Sequence, residues 1–155
     1  FALNPDGSWS RDLGIVRMRV LKRTNTWTSL AMVKRDKLAA AADGAVIEMA
    51  PLDNGDWREI KRWSTWGSAR GPAVFGRQVY VAADAGRLWI SDRQRHRVLV
   101  FDIESSTLIA QFGRNDTALD TLEGLEHPEV LAVRGDRAVV YDAGNQRILK
   151  LRLPE

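Results

Sequence analysis

The two histidines of the sequence, His96 and His127, are the residues best suited to binding a metal ion, since the chain contains no cysteine. Together with Asp92 or Asp120 they could supply the imidazole and carboxylate ligands of a divalent cation. Structural roles explain both histidines more simply. His96 lies in a short polar connection, and His127 precedes a proline, which favours an extended backbone. We therefore predict neither a metal site nor a cofactor.

Sequence motifs of known catalytic chemistries are absent. The chain has no glycine-rich phosphate loop, no serine in a nucleophile elbow and no His-Glu-X-X-His motif. The carboxylates of Glu123, Glu126 and Glu129 fall in a predicted loop, where solvated charge is the simplest interpretation. Acid–base catalysis needs partners that folding brings together and that spacing alone does not reveal. We predict no catalytic residue, and the question of an enzyme stays open here.

Aromatic and basic side chains in predicted connections are the best candidates for contacts with a partner. An exposed tryptophan beside an arginine, as at Trp66 and Arg70, suits a protein or sugar partner, although the same tryptophan could seal a groove between sheets. The densest basic cluster is formed by Arg93, Arg95, His96 and Arg97. With 23 basic against 20 acidic residues, a solvated surface of mixed charge is favoured over a nucleic-acid partner.

A strand–turn–strand pattern that positions these residues recurs at a spacing of fifty residues. It is clearest at residues 88–102 (LWISDRQRHRVLVFD), returns at residues 138–151 (AVVYDAGNQRILKL) and has a weaker copy at residues 38–49. Apolar runs separated by short polar turns predict antiparallel strands. In each copy a basic residue opens the strand, at Lys37, Arg87 and Arg137.

Each fifty-residue unit contains enough pattern for four antiparallel strands. Four strands in about fifty residues, repeated along the chain, are typical of the blades of a β-propeller. A β-sandwich has similar strand spacing but needs no sequence repeat, so it ranks second. We therefore predict an all-β fold, a partial β-propeller of four-stranded antiparallel blades.

The predicted blades divide a single 155-residue domain. Residues 1–28 are expected to form the end of a preceding blade and a linker strand. Residues 29–76 and 77–127 are expected to form two blades, and residues 128–155 an incomplete one. Residues 1–14 run strand, polar turn, strand and glycine, as residues 100–113 do at a separation of 99 positions.

The motif Asp-Ala-Gly-Asn-Gln-Arg at residues 142–147, between two apolar strands, resembles the NHL-repeat family of β-propellers. Residues 92–97 keep the Asp and the His-Arg pair, and Gln-Phe-Gly at residues 111–113 and His-Pro at residues 127–128 are similar to this family too. The resemblance implies a non-catalytic module that presents one face of connecting loops to a protein or ligand. The candidate face carries Trp66, Arg70, Arg93, Arg95, His96, His127, Asn145 and Gln146.

Two other functions are permitted by the same resemblance. One is part of a propeller enzyme, a metal-dependent lyase or hydrolase. The other is an RNA-binding propeller that uses its basic connections. Neither is required by any residue of the sequence.

The aspartate and arginine of the motif are interpreted as structural. Asp92 and Arg97, like Asp142 and Arg147, lie across a hairpin, where a charge-assisted hydrogen bond would tie them together. The Gly-Asn pair at residues 144–145 suits a turn that requires a positive φ.

Cellular location is weakly indicated by the sequence. No apolar run approaches the ~20 residues that span a bilayer, so no membrane span is predicted. No signal peptide is visible in this segment, which begins with Phe1 and not with Met, so we expect it to be a processed or excised part of a longer chain. The compartment stays unassigned, with an extracytoplasmic one slightly preferred.

The number of predicted blades is too small for a closed ring, since propellers have about four to eight blades. The remaining blades are therefore expected as partners, supplied by another chain, another segment or a second copy whose residues 1–14 complete the last blade. Light scattering with size exclusion distinguishes these cases. A dimer is the result expected if the chain closes its own ring, and a monomer if it is a piece of a larger ring.

Overall fold

The computed structural model describes residues 27–34, 36–42, 44–54, 57–63, 75–114, 117–121 and 124–154. Two predicted partner-binding residues, Trp66 and Arg70, lie outside the described residues, as do residues 1–14. The division of the chain at residues 28, 76 and 127 stays a prediction.

Eleven strands in the described part of the chain form three antiparallel sheets. The first sheet has the strand order β1-β2-β3-β4, the second β5-β6-β7-β8 and the third β11-β10-β9. In the first sheet the strands are β1 (Trp27–Lys34), β2 (Lys37–Ala42), β3 (Ala45–Pro51) and β4 (Trp57–Trp63). In the second they are β5 (Val79–Asp84), β6 (Arg87–Asp92), β7 (Arg97–Asp102) and β8 (Leu108–Gly113). In the third they are β9 (Pro128–Arg134), β10 (Arg137–Asp142) and β11 (Arg147–Arg152).

The predicted fold class is confirmed, because the structure is all-β and antiparallel, with four strands in each of two sheets. The register repeats with the sequence: Asp92 pairs with Arg97 across one hairpin, and Asp142 pairs with Arg147 across the equivalent one. Within the described residues the helical content is a single 3-10 turn, Arg93–Arg95, which joins β6 to β7. No helix among these residues has the length and apolar character needed to cross a membrane.

Two apolar cores lie between successive sheets. Between the first and second sheets, the Trp63 ring meets the Phe101 ring edge-on, with the centroids 6.2 Å apart. Between the second and third sheets, Trp89 is fully buried and its ring stacks on that of Phe112 with the centroids 6.0 Å apart. The inner strands β6 and β7 of the second sheet are buried along nearly their whole length, because the two faces of that sheet contribute to the two cores.

Hydrogen bonds between strands of neighbouring sheets reinforce this packing. The Ser29 hydroxyl oxygen accepts a hydrogen bond from the Val81 N–H at 2.6 Å, which joins β1 to β5. The Ser91 hydroxyl donates to the Glu129 carbonyl oxygen, which joins β6 to β9. The three sheets thus lie in a row, and each one is in contact with the next.

Gly113, at the end of β8, is a position where a side chain cannot be accommodated. Its φ is +76°, and a Cβ atom there would collide with the backbone carbonyl oxygen of His96. Gly86 has nearly the same φ, +75°, but a Cβ atom there would meet nothing within 4 Å.

We expect Gly86→Ala to lower the free energy of unfolding by about 1 kcal/mol, the cost of a left-handed alanine. Gly113→Ala should cost about 1–3 kcal/mol more, because backbone or neighbouring side chains must move to relieve the collision. Urea denaturation of both variants measures the difference. Equal losses would show that the close approach of β8 to the β6–β7 connection is unimportant.

Candidate binding face

The connections that carry the predicted binding residues lie at one end of the sheets. Antiparallel strands alternate in direction, so the β6–β7 and β10–β11 hairpins share an end with the chain that enters β5 and β9. Backbone hydrogen bonds join these connections, from Gly144 N–H to the Glu126 carbonyl and from Ala143 N–H to the His127 carbonyl, at 2.8 and 3.2 Å. We call residues 75–78, 93–96, 117–121, 124–127 and 143–146 the loop face.

Asp92 anchors the first hairpin of the loop face to the chain that precedes β5. Its carboxylate accepts a hydrogen bond from the Gly76 N–H at 3.0 Å, and from Nε and Nη2 of Arg97 at 3.2 and 3.1 Å. The side chains of Asp92 and Arg97 are 0% and 2% exposed. Gly76 suits this contact, because a Cβ atom there would lie 2.8 Å from the carboxylate oxygen.

Asp142 repeats the arrangement in the third sheet. It accepts hydrogen bonds from the Glu126 N–H at 2.6 Å, from Asn145 Nδ2 at 2.9 Å and from Arg147 Nε at 3.0 Å. In both sheets the backbone donor lies 16 positions before the aspartate. The aspartate therefore binds both its own hairpin and the connection from the preceding sheet.

Opposing effects act on the pKa of the Asp92 carboxyl. Burial raises the pKa of the Asp92 carboxyl, while the charge of Arg97 and the hydrogen bond from Gly76 act in the opposite direction. A raised carboxyl pKa means that the folded protein holds the proton more readily than the unfolded chain does. Its contribution to stability is therefore present at low pH and falls as the pH rises through the raised pKa. The main effect of the ion pair is to fix the position of the hairpin.

The two histidines come together on the loop face. The centroids of the His96 and His127 rings are 4.8 Å apart, and His96 Nδ1 accepts a hydrogen bond from the His127 backbone N–H at 3.2 Å. An accepting Nδ1 places the proton of the neutral His96 imidazole on Nε2. Among the described residues no group of three or more His, Asp or Glu side chains is arranged to hold a metal ion.

The remaining predicted residues differ in how they are held. Arg93 donates to Glu129 Oε1 at 2.8 Å and to Gln78 Oε1 at 3.1 Å. Asn145 donates to the Leu119 carbonyl at 3.1 Å, whereas Gln146 is exposed with a φ of +50°. Arg95 is half-buried, near enough to Asp92 for its charge to lower the pKa of that carboxyl.

Four sequence interpretations are corrected by this geometry. His127 has a φ of +54°, so the residue before Pro128 is not extended, and in the second hairpin the positive φ of +50° lies at Gln146 and not at the Gly-Asn pair before it.

The other two corrections concern charged residues. Glu129 is not a solvated loop charge, since it lies on β9 and forms an ion pair with Arg93. Arg97 belongs to the basic cluster in sequence but is buried against Asp92, so it is not available to a polyanion. The Glu129 error arises because its partner, Arg93, lies 36 positions away in sequence, whereas the pairing of Arg97 with Asp92 agrees with the structural role predicted for the motif.

Several hydrogen bonds that hold the loop face were not predicted from the sequence. Gly76 and Glu126 occupy equivalent positions and both donate a backbone N–H to an aspartate. Because one is a glycine and the other a glutamate, the sequence does not reveal that they are equivalent. The extra acceptors of Arg147, namely Asp120 Oδ1 and the carbonyl oxygens of Thr121 and Gly124, are also unpredicted. Only the fifty-residue spacing could have indicated where such partners lie.

Solved structures share this fold. The glutaminyl cyclase of Myxococcus xanthus matches with a TM-score of 0.52 and 12% identity, over 83% of this chain and 48% of its own. The U3-55K structure matches with a TM-score of 0.50 and 15% identity, over 85% of this chain and 41% of its own. Identities this low show the fold alone, and that fold is the β-propeller. The chain spans less than half of the length of either solved chain, as part of a propeller does.

No protein-family model matches the sequence, and no curated protein matches it either.

Removing the Asp92 carboxylate takes the ion-pair partner away from an arginine side chain that is only 2% exposed. We expect Asp92→Ala to lower the free energy of unfolding by about 3–5 kcal/mol. Asp142→Ala should cost less, because Arg147 is 24% exposed and keeps its other acceptors. Urea denaturation measures both losses.

The matched control is Glu59→Gln, which removes an ion pair with Arg62 whose side chains are both more than 40% exposed. It should change stability by about 1 kcal/mol or less. A loss at Asp92 no larger than that of the control would contradict a structural role for the buried pair.

Proposed function

We propose that this chain is a non-catalytic, NHL-like β-propeller segment that binds a protein or small ligand through its loop face. The observation that carries the proposal is the contact between His96 and His127, which come from two different connections. That contact and the two aspartate anchors join loops of neighbouring sheets into one surface. The propeller fold alone would not indicate a function.

The loop face is held in place before any partner arrives. Hydrogen bonds from Gly144 to Glu126 and from Asn145 to Leu119 tie the second hairpin to the connection that precedes β9. A surface ordered in advance loses less conformational entropy on binding than a mobile one. Polar side chains on rigid connections are therefore well suited to recognising a defined partner.

The charge of the loop face favours a protein or small ligand over RNA. Arg93 is compensated by Glu129, Arg97 is buried against Asp92, and Arg147 is paired with Asp142 and Asp120. Binding of RNA depends chiefly on uncompensated lysines and arginines that contact phosphates. Neither the RNA-binding nor the enzymatic alternative is favoured by a contact among the described residues.

Selection from a displayed peptide library, with the full chain as the target, tests this proposal. A double variant, Arg95→Ala with Gln146→Gly, removes two side chains of the loop face. Glycine adopts the +50° φ of position 146 without strain. Peptides that bind the natural chain should lose about ten-fold or more in affinity for this variant, since central contacts of an interface each cost over 1 kcal/mol.

The control changes Glu104→Ala and Thr107→Ala, which are exposed in the β7–β8 connection at the opposite end of the second sheet. Selected peptides should bind the control variant as tightly as the natural chain. If both variants weaken peptide binding equally, or if neither variant weakens it, the loop face is not the binding surface.

A further inference from the structure

Two parts of the loop face meet at the contact between His96 and His127. On one side, the connection that precedes β9 is bound to the third sheet, because Gly144 and Ala143 donate backbone N–H groups to the carbonyl oxygens of Glu126 and His127. On the other side, His96 follows the 3-10 turn that joins β6 to β7 and so belongs to the second sheet. The histidine contact therefore joins two units that are each held by a different sheet.

The hydrogen bond across this junction requires a neutral ring at His96. The His127 N–H donates to His96 Nδ1 at 3.2 Å, so this nitrogen must carry a lone pair and no proton. When His96 takes up a proton, Nδ1 becomes a donor, and two N–H groups then point at each other. The bond is therefore formed by the neutral imidazole and lost by the charged one.

The second imidazole acts in the same direction. The centroids of the two rings are 4.8 Å apart, and both histidines are half-buried. If both rings carry a charge at low pH, the like charges repel each other across this short distance. As the pH falls, the contact thus loses a hydrogen bond and gains a repulsion.

Charged side chains of both signs surround His96. Among the described residues, those on its own hairpin, at the end of β8, in the connection before β9 and on β9 are Asp92, Arg93, Arg95, Arg97, Arg114, Glu126 and Glu129. Two ion pairs, of Arg97 with Asp92 and of Arg93 with Glu129, contribute no net charge. The specific feature that opposes a proton on His96 is therefore the N–H that its Nδ1 accepts.

Asp92 is another group of this region that can respond to acid. Burial raises the pKa of its carboxyl. Protonation of Asp92 would alter its hydrogen bonds with Gly76 and Arg97, but not the bond between the histidines. The two groups hold different connections, since Asp92 binds the chain that precedes β5 and His96 binds the chain that precedes β9.

We propose that the contact between His96 and His127 is a pH-sensitive closure of the loop face. It is formed above about pH 6.5, where an imidazole is ordinarily neutral, and it opens as the pH falls below that range. Opening separates the connection before β9 from the β6–β7 hairpin whether or not a partner is bound. Weaker binding of a partner in acid is a second consequence, and it rests on the proposed function.

Heteronuclear NMR of the full chain, titrated from about pH 7.5 to about pH 5, tests the opening without a partner. The backbone N–H at position 127 should shift upfield as its hydrogen bond is lost, with the same midpoint as the ring protons of His96. His96→Asn is the informative variant, because an asparagine oxygen can accept the same N–H, tolerates the φ of +53° and does not titrate. In this variant the N–H at position 127 should lose most of its pH-dependent shift.

His127→Asn is the matched control, since it removes the second imidazole but keeps the backbone N–H and tolerates the φ of +54°. The N–H at position 127 should still shift with pH in this variant. An undiminished shift in His96→Asn would assign the response to Asp92 or another group and overturn the proposal. So would loss of the shift in His127→Asn, or a natural chain that is folded and shows no shift.

Peptides selected against the loop face separate this proposal from the proposed function. At about pH 5.5 most free imidazoles are charged, so the natural chain should bind these peptides about three-fold or more weakly than at about pH 7.5. The ratio of the two affinities should be close to one in His96→Asn. An NMR shift without a change in affinity supports the opening and counts against the loop face as the binding surface.

Discussion

A buried carboxylate that accepts a backbone N–H from the preceding connection is the interaction on which the rest of the structure depends. Asp92 performs this function in the second sheet, with Gly76 as donor, and Asp142 in the third, with Glu126 as donor. A sheet-to-sheet connection would otherwise be free to pack in several ways. The carboxylate fixes it against one hairpin, and the loop face follows from that constraint.

Much of the architecture could be predicted because it repeats. A fifty-residue spacing shared by strands, turns and basic residues is independent of how the units pack, so it indicates the strand number before any contact is known. The pairing of Asp92 with Arg97 was also foreseeable, since the two residues face each other across one hairpin. Local patterns of this kind are visible in sequence because the partners are close along the chain.

The contacts between connections could not be predicted in the same way. The ion pair of Arg93 with Glu129 joins residues 36 positions apart, and the His96–His127 contact joins residues 31 apart. Several partners, such as the carbonyl oxygens around Arg147, belong to the backbone and are present at every position of every sequence. The contacts between successive sheets likewise depend on which strands lie side by side, a property of tertiary structure.

The unequal burial of the two aspartate anchors has a consequence for motion. Each described sheet packs only against its neighbour, so stability along the row is a sum of sheet and interface contributions. The Asp92 pair is sealed from solvent, while Arg147 beside Asp142 is 24% exposed, and the outer edge of β11 has no described neighbour. Local opening therefore begins in the third sheet, and its amide hydrogens exchange before those of the second. Between these two sheets, opening therefore proceeds from β11 toward the buried Asp92 pair.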